Sequence, residues 1–135
     1  MAALTKDRDT PARRGGTLSV PAAASKTFYA GAIACISTAT GYATPGATAT
    51  TLRGLGRVVA QVTSPGSDGA VRVSIERGCF RFANSADADL ITRADIGATA
   101  YIVDDQTVAK TNGTNTRSAA GIIRDVDDLG VWVEF

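Results

Sequence analysis

Ala119 to Phe135, AAGIIRDVDDLGVWVEF, is the stretch whose reading decides the fold. Val131, Val133 and Phe135 alternate with Trp132 and Glu134, the two-residue period of a strand with unlike faces. Asp127-Asp128-Leu129-Gly130 supplies the residues of a reversal, because Asp side chains accept bonds from nearby N–H groups and glycine tolerates positive φ. A β-hairpin is expected. The chain stops at its last apolar side chain, so its carboxyl end is expected to close a sheet.

Upstream, Val71, Val73 and Ile75 alternate with Arg72, Ser74 and Glu76 as cleanly. Past Gly78 the phase changes, since Phe80 and Phe82 occupy even positions, which predicts a bulge or bend at Arg77-Gly78. Thr17 to Pro21, Thr27 to Thr38, Arg57 to Thr63 and Ala98 to Val103 read as further strands, with a short segment at Thr107 to Lys110. Between them, Gly41 to Gly46 and Ser64 to Gly69 carry loop and turn chemistry, and Asn112-Gly113 is the favoured pair of a type I′ hairpin turn. Thr92 followed by Asp95, with Gly97 beyond, has the spacing of a capping box and predicts one short helix around Leu90 to Ile96. No repeat of fixed period is visible. The sum is a mainly β fold: a small antiparallel β-barrel or sandwich with one short helix and an extended N-terminal arm.

Composition agrees. The 135 residues suit one domain, which buries roughly 65–70% of its unfolded surface. Fourteen glycines and few aromatic residues favour short strands and many turns over long amphipathic helices. A formal charge of +1 predicts neither nucleic acid nor an anionic membrane as partner, and a charge so close to zero eases self-association. No apolar run approaches a membrane span, and the first sixteen residues, MAALTKDRDTPARRGG, lack the apolar core of a secretion signal. Synthesis in the cytoplasm follows, with Cys35 and Cys79 expected as free, partly buried thiols.

Chemistry is hard to find. With no histidine and two cysteines far apart, a four-ligand zinc site cannot be assembled, and no serine or cysteine has a histidine base. Asp125 to Gly130 resembles the start of a calcium loop, but Leu129 stands where a ligand is required. Solvated turns are the better reading, there and at Asp104-Asp105. Gly54-Leu55-Gly56 lacks the third glycine and the helix of a dinucleotide fingerprint. Asp87, Asp89, Asp95 and Glu76 have no spacing that favours acid–base work over exposed turns. Arg77, Phe80, Arg81 and Phe82 are the one candidate for base stacking, and a strand sending phenylalanines into a core explains them as well. No enzyme, metal or cofactor is expected.

Met1 to Gly15 stands apart from the β domain at residues 16–135. Lys6, Arg8, Arg13 and Arg14 outnumber Asp7 and Asp9, and Pro11 and Gly15-Gly16 break any helix. It reads either as a disordered terminus or as an arm that orders against a partner. Fifteen extended residues reach roughly 50 Å. Laid along a sheet edge, such an arm binds through main-chain hydrogen bonds.

Three stretches together resemble the small capsid cement, or head-decoration, proteins of tailed bacteriophages. They are Gly16 to Pro21 with Tyr29-Ala30-Gly31; Ile91 to Gly97 running into Tyr101 to Asp105 and Thr107-Val108; and Ala120 to Asp127 leading to Gly130 to Val133. The likeness covers most of residues 16–135, and its motifs are structural rather than catalytic. It implies a β domain on the exterior of the virion, bound to the major capsid protein and to further copies of itself, commonly as a trimer. In that setting Arg13, Arg14, Leu18 and Val20 are the expected capsid-docking residues. A phage tail or baseplate β module is the alternative.

Overall fold

The hairpin forms as expected. A computed structural model describes residues 2–13 and 15–135, and in it β11 (Ala119–Asp127) pairs antiparallel with β12 (Gly130–Glu134) around Asp128-Leu129. The remaining strands are β1 (Thr17–Pro21), β2 (Thr27–Phe28), β3 (Ile33–Ser37), β4 (Ala43–Pro45), β5 (Leu52–Val58), β6 (Val62–Thr63), β7 (Arg72–Glu76), β8 (Cys79–Asn84), β9 (Thr99–Ile102) and β10 (Thr107–Ala109). The protein is mainly β, as its sequence implies. In place of the short helix stand two three-residue 3-10 turns, Asp87–Asp89 and Arg93–Asp95. Thr92 and Asp95 do form the capping box, but the turn ends at once.

The strands make two bodies on one plan. The first sheet runs β1-β7-β5-β3-β4, and β8-β12-β11-β9-β10 repeats that order and closes into a barrel. The correspondence holds residue by residue. Leu18 and Val20 face Ile75 and Val73, as Phe80 and Phe82 face Val133 and Val131. Ala34 pairs with Gly56 and Ala100 with Gly121, each beside a one-residue bulge. Gly31 N donates to Val58 O and Val58 N to Ala32 O; Gly97, Ile123 and Ala98 make the same pair of bonds. Two segments keep the pattern in sequence: Gly31-Ala32-Ile33-Ala34-Cys35-Ile36 and Gly97-Ala98-Thr99-Ala100-Tyr101-Ile102. The structure shows a repeated plan that the absence of a fixed period in the sequence had hidden. Loops of unequal length change the spacing between matched residues, so no fixed period survives in the sequence.

The two bodies differ at the seam. Ala83 N donates to Gln106 O, and β8 runs parallel to β10 through Ala83 and Asn84. Pro21 holds the matching place in the first body and has no N–H to donate. There the ends meet only at the Ala22–Ala43 bridge, where Ala23 N reaches Ala43 O at 2.9 Å.

Each body has its own core, and β3 is the wall between them. Ala32 and Ala34 face the first core with Phe28, Val58, Val73 and Ile75. Ile33 and Cys35 face the second with Phe82, Ile102, Ile123, Val131 and Val133. A strand buried on both sides loses its alternation, as β3 does. Polar ties cross the same junction: Ile33 N to Asp105 O at 2.8 Å, Thr48 Oγ1 to Val103 O at 2.7 Å, and Ser118 Oγ to Ala49 O at 2.6 Å.

The bend expected at Arg77-Gly78 is present, not as a bulge within a strand but where the chain leaves the first sheet and enters the second, with Gly78 at φ 152°. Three local expectations are corrected. Arg57 to Thr63 is no single strand, since β5 ends at Val58 and β6 begins only at Val62. Thr27 to Thr38 is two strands, broken where Ala32 N bonds Tyr29 O. Asn112-Gly113 opens no two-residue hairpin. Gly113, Thr114 and Asn115 all take φ near +60°, and Asn112 O accepts from both Thr116 N and Arg117 N.

Candidate docking surface

Residues 2–13 are exposed throughout and form no strand or helix. Among the described residues, no hydrogen bond or ion pair ties Lys6, Asp7, Arg8, Asp9 or Arg13 to the body. Pro11 and the largely polar, charged composition leave the segment little beyond Leu4 to bury, so it gains little packing energy on its own chain. Arg13 is therefore free at the base of the arm. Arg14 lies outside the described residues.

The arm leads into β1, the end strand of the first sheet. Leu18 and Val20, expected as docking residues, are half-buried and packed against the first core. What β1 turns outward is Thr17, Ser19 and its open main-chain edge. That edge is blunted: Arg72 donates to Ser19 Oγ at 2.9 Å and to Ser19 O at 2.6 Å, and Pro21 offers no donor. A positive charge and a proline are ordinary guards against indiscriminate strand pairing. Sequence patterning alone does not reveal Arg72 in this role, because Ser19 and Arg72 meet only once β1 and β7 are in register.

The groups that could do chemistry are committed elsewhere. Burial pushes the Cys35 thiol up to about 12, far from a reactive thiolate. Cys79 is exposed, and its thiol is also raised, first by partial desolvation and then by the Glu134 carboxylate. Only Cys35 is buried, which refines the expectation of two partly buried thiols. Asp127 accepts from Leu129 N, Gly130 N and Trp132 Nε1 at 2.8 to 3.0 Å, so it builds the hairpin turn. The Trp132 bond is the largest cause holding its carboxyl below the usual range. Asp104 Oδ1 takes the N–H groups of Gln106 and Thr107. Asp95 takes Thr92 N at 2.8 Å, and Asp89 takes the Thr111 hydroxyl and the Arg117 guanidinium. Among the described residues, no group of three or more cysteines and carboxylates is placed to hold a metal ion.

The stacking candidate dissolves in the same way. Phe82 is buried edge-on to Phe135, with ring centres 5.9 Å apart, and Phe80 packs on the second core beneath Arg57. Arg81 lies over Trp132 and near Asp127. These aromatic rings belong to the core and to each other's neighbours. No helix is long and apolar enough to cross a membrane.

No protein-family model, curated protein or solved structure matches this chain.

Proposed function

We propose that this protein is a non-enzymatic capsid decoration, or cement, protein that binds the outer surface of a phage head and stabilises it. The observation that carries the reading is the division of labour in the chain. A body of one open sheet and one closed barrel spends most of its carboxylates on its own turns, while the basic leading segment, among the described residues, makes no bond to that body. The likeness of residues 16–135 to head-decoration proteins supplies the partner, the major capsid protein, and a trimeric assembly with further copies.

The physics such a role demands is modest. An interface of roughly 1,600 Å² can be strong without any special residue, given a few well-placed anchors. Many copies on one shell then add their small contributions. In this reading Arg13, exposed just before the body begins, and Arg14, the next residue in the sequence, anchor the arm to an acidic capsid surface.

Add-back to undecorated heads tests this. The full chain is expected to bind, and deletion of residues 1–15 to leave folded protein that binds at least about tenfold more weakly, a loss of roughly 1.4 kcal/mol. Full occupancy by the shortened chain would remove the arm from the account. Binding to tails rather than heads would favour a tail or baseplate module.

A further inference from the structure

Tyr29, Ala30, Gly31 and Ala32 of the first body and Asp105 and Gln106 of the barrel line a cleft of about 370 Å³ at their junction. The main chain fixes both walls. Ala32 N bonds Tyr29 O at 3.1 Å, and Ile33 N reaches across to Asp105 O at 2.8 Å. Asp104 makes the turn alone, leaving the next two side chains unspent. The Tyr29 hydroxyl, the Asp105 carboxylate and the Gln106 carboxamide form no side-chain hydrogen bond or ion pair among the described residues. Tyr29 is 57% exposed, and Val59, next to the residue that bonds Gly31, is 49% exposed.

The repeated plan does not demand this cleft. The residue matching Tyr29 in the barrel is Asp95, since Ala98 N bonds Asp95 O as Ala32 N bonds Tyr29 O. Asp95 is spent on Thr92 and Lys110. Only the first body carries an exposed aromatic ring at this turn, and only there does a loop of the barrel face it.

An aromatic face beside a free carboxylate suits a cationic side chain, which gains from the ring's quadrupole and from the charge together. A neighbouring carboxamide can donate to and accept from the main chain of an extended peptide. One segment of this chain has the complementary chemistry and nothing to spend it on: residues 2–13, with Lys6, Arg8 and Arg13 unpaired and Leu4 72% exposed. On its own chain the segment bonds to nothing in the cleft. We propose that the cleft receives the leading segment of a second copy, a basic side chain resting on Tyr29 and pairing with Asp105 while Leu4 lies toward Val59. The inference concerns the free protein and stands whether or not the partner surface is a capsid.

The test uses the full chain with a photoreactive benzoylphenylalanine at Leu4, mixed with isotope-labelled full chain. Light is expected to yield crosslinks between chains that map to residues 29–32, 59 or 105–106. Asp105→Ala and Tyr29→Ala, both at exposed or half-exposed positions, should each cut that yield about fivefold, and Asp105→Glu should restore most of it. Crosslinks confined to one chain, crosslinks between chains that map elsewhere, or a yield unmoved by both variants would overturn the proposal. Failure to decorate heads would bear only on the proposed function.

Discussion

A methyl group at Gly121 would stand 2.2 Å from the carbonyl oxygen of Glu134, and one at Gly56 would stand 2.2 Å from that of Glu76. In the sheet as in the barrel the obstacle is main chain, which cannot swing aside. Gly121→Ala is therefore expected to cost about 2–4 kcal/mol in urea unfolding, while Gly66→Ala, with nothing within 4 Å, should change stability by less than about 0.5 kcal/mol. Equal effects at the two sites would contradict the packing described. Carboxylates set the acid limit at this same scale. Asp89, Asp95 and Asp127 are held below the ordinary range, chiefly by hydrogen bonds from Thr111, Thr92 and Trp132 respectively. A lowered folded-state value means their stabilisation is complete above the unfolded value near 3.9 and fades as pH falls through the folded values. Urea midpoints should accordingly be flat from neutral pH to about 5 and decline below about 4. In Asp127→Asn that decline should be shallower, from a lower starting midpoint.

At the scale of elements, legibility followed the number of faces a strand buries. β7 and β12 bury one face each, and their alternation in the sequence places Val73, Ile75, Val131 and Val133 in the cores where they lie. The hairpin turn was equally plain, because Asp127 acts on its own neighbours two and three residues on. β3 buries both faces, so its sequence carried no period, and its boundary with β2 was missed. The loop after β10 was misread for a different reason. Asn112-Gly113 satisfied the local rule, but three successive left-handed residues carry the chain to Arg117, whose guanidinium must reach Asp89 at 3.2 Å. That contact ties the loop to the 3-10 turn at Asp87–Asp89 and leaves no mark in the sequence near Asn112. Of the expected docking residues, the arm's free Arg13 was readable from charge alone. Leu18 and Val20, expected as docking residues, pack inward against the first core. The cleft at Tyr29 was not readable, since its two walls come from different bodies.

At the scale of the whole molecule, the wall that β3 shares between the two cores is expected to make the sheet and the barrel one cooperative unit. Ile33→Ala removes a buried side chain from the second core while leaving β3 in the first sheet. A cost of about 2–4 kcal/mol is expected. The unfolding of the variant, followed by Trp132 fluorescence in the barrel and by far-UV circular dichroism over both bodies, should remain a single coincident transition. Two separated transitions would mean that the sheet and the barrel fold independently. A joined sheet and barrel with an arm that makes no bond to its own body suits the proposed cement role, because binding can then be added to a finished shell without changing the body's fold. The most direct measurement is a cryo-EM map of the intact particle. It should resolve this body on the outer face of the head, with residues 2–13 ordered against a neighbouring subunit. A shell bare of this polypeptide, or the body found only on the tail, would contradict the account.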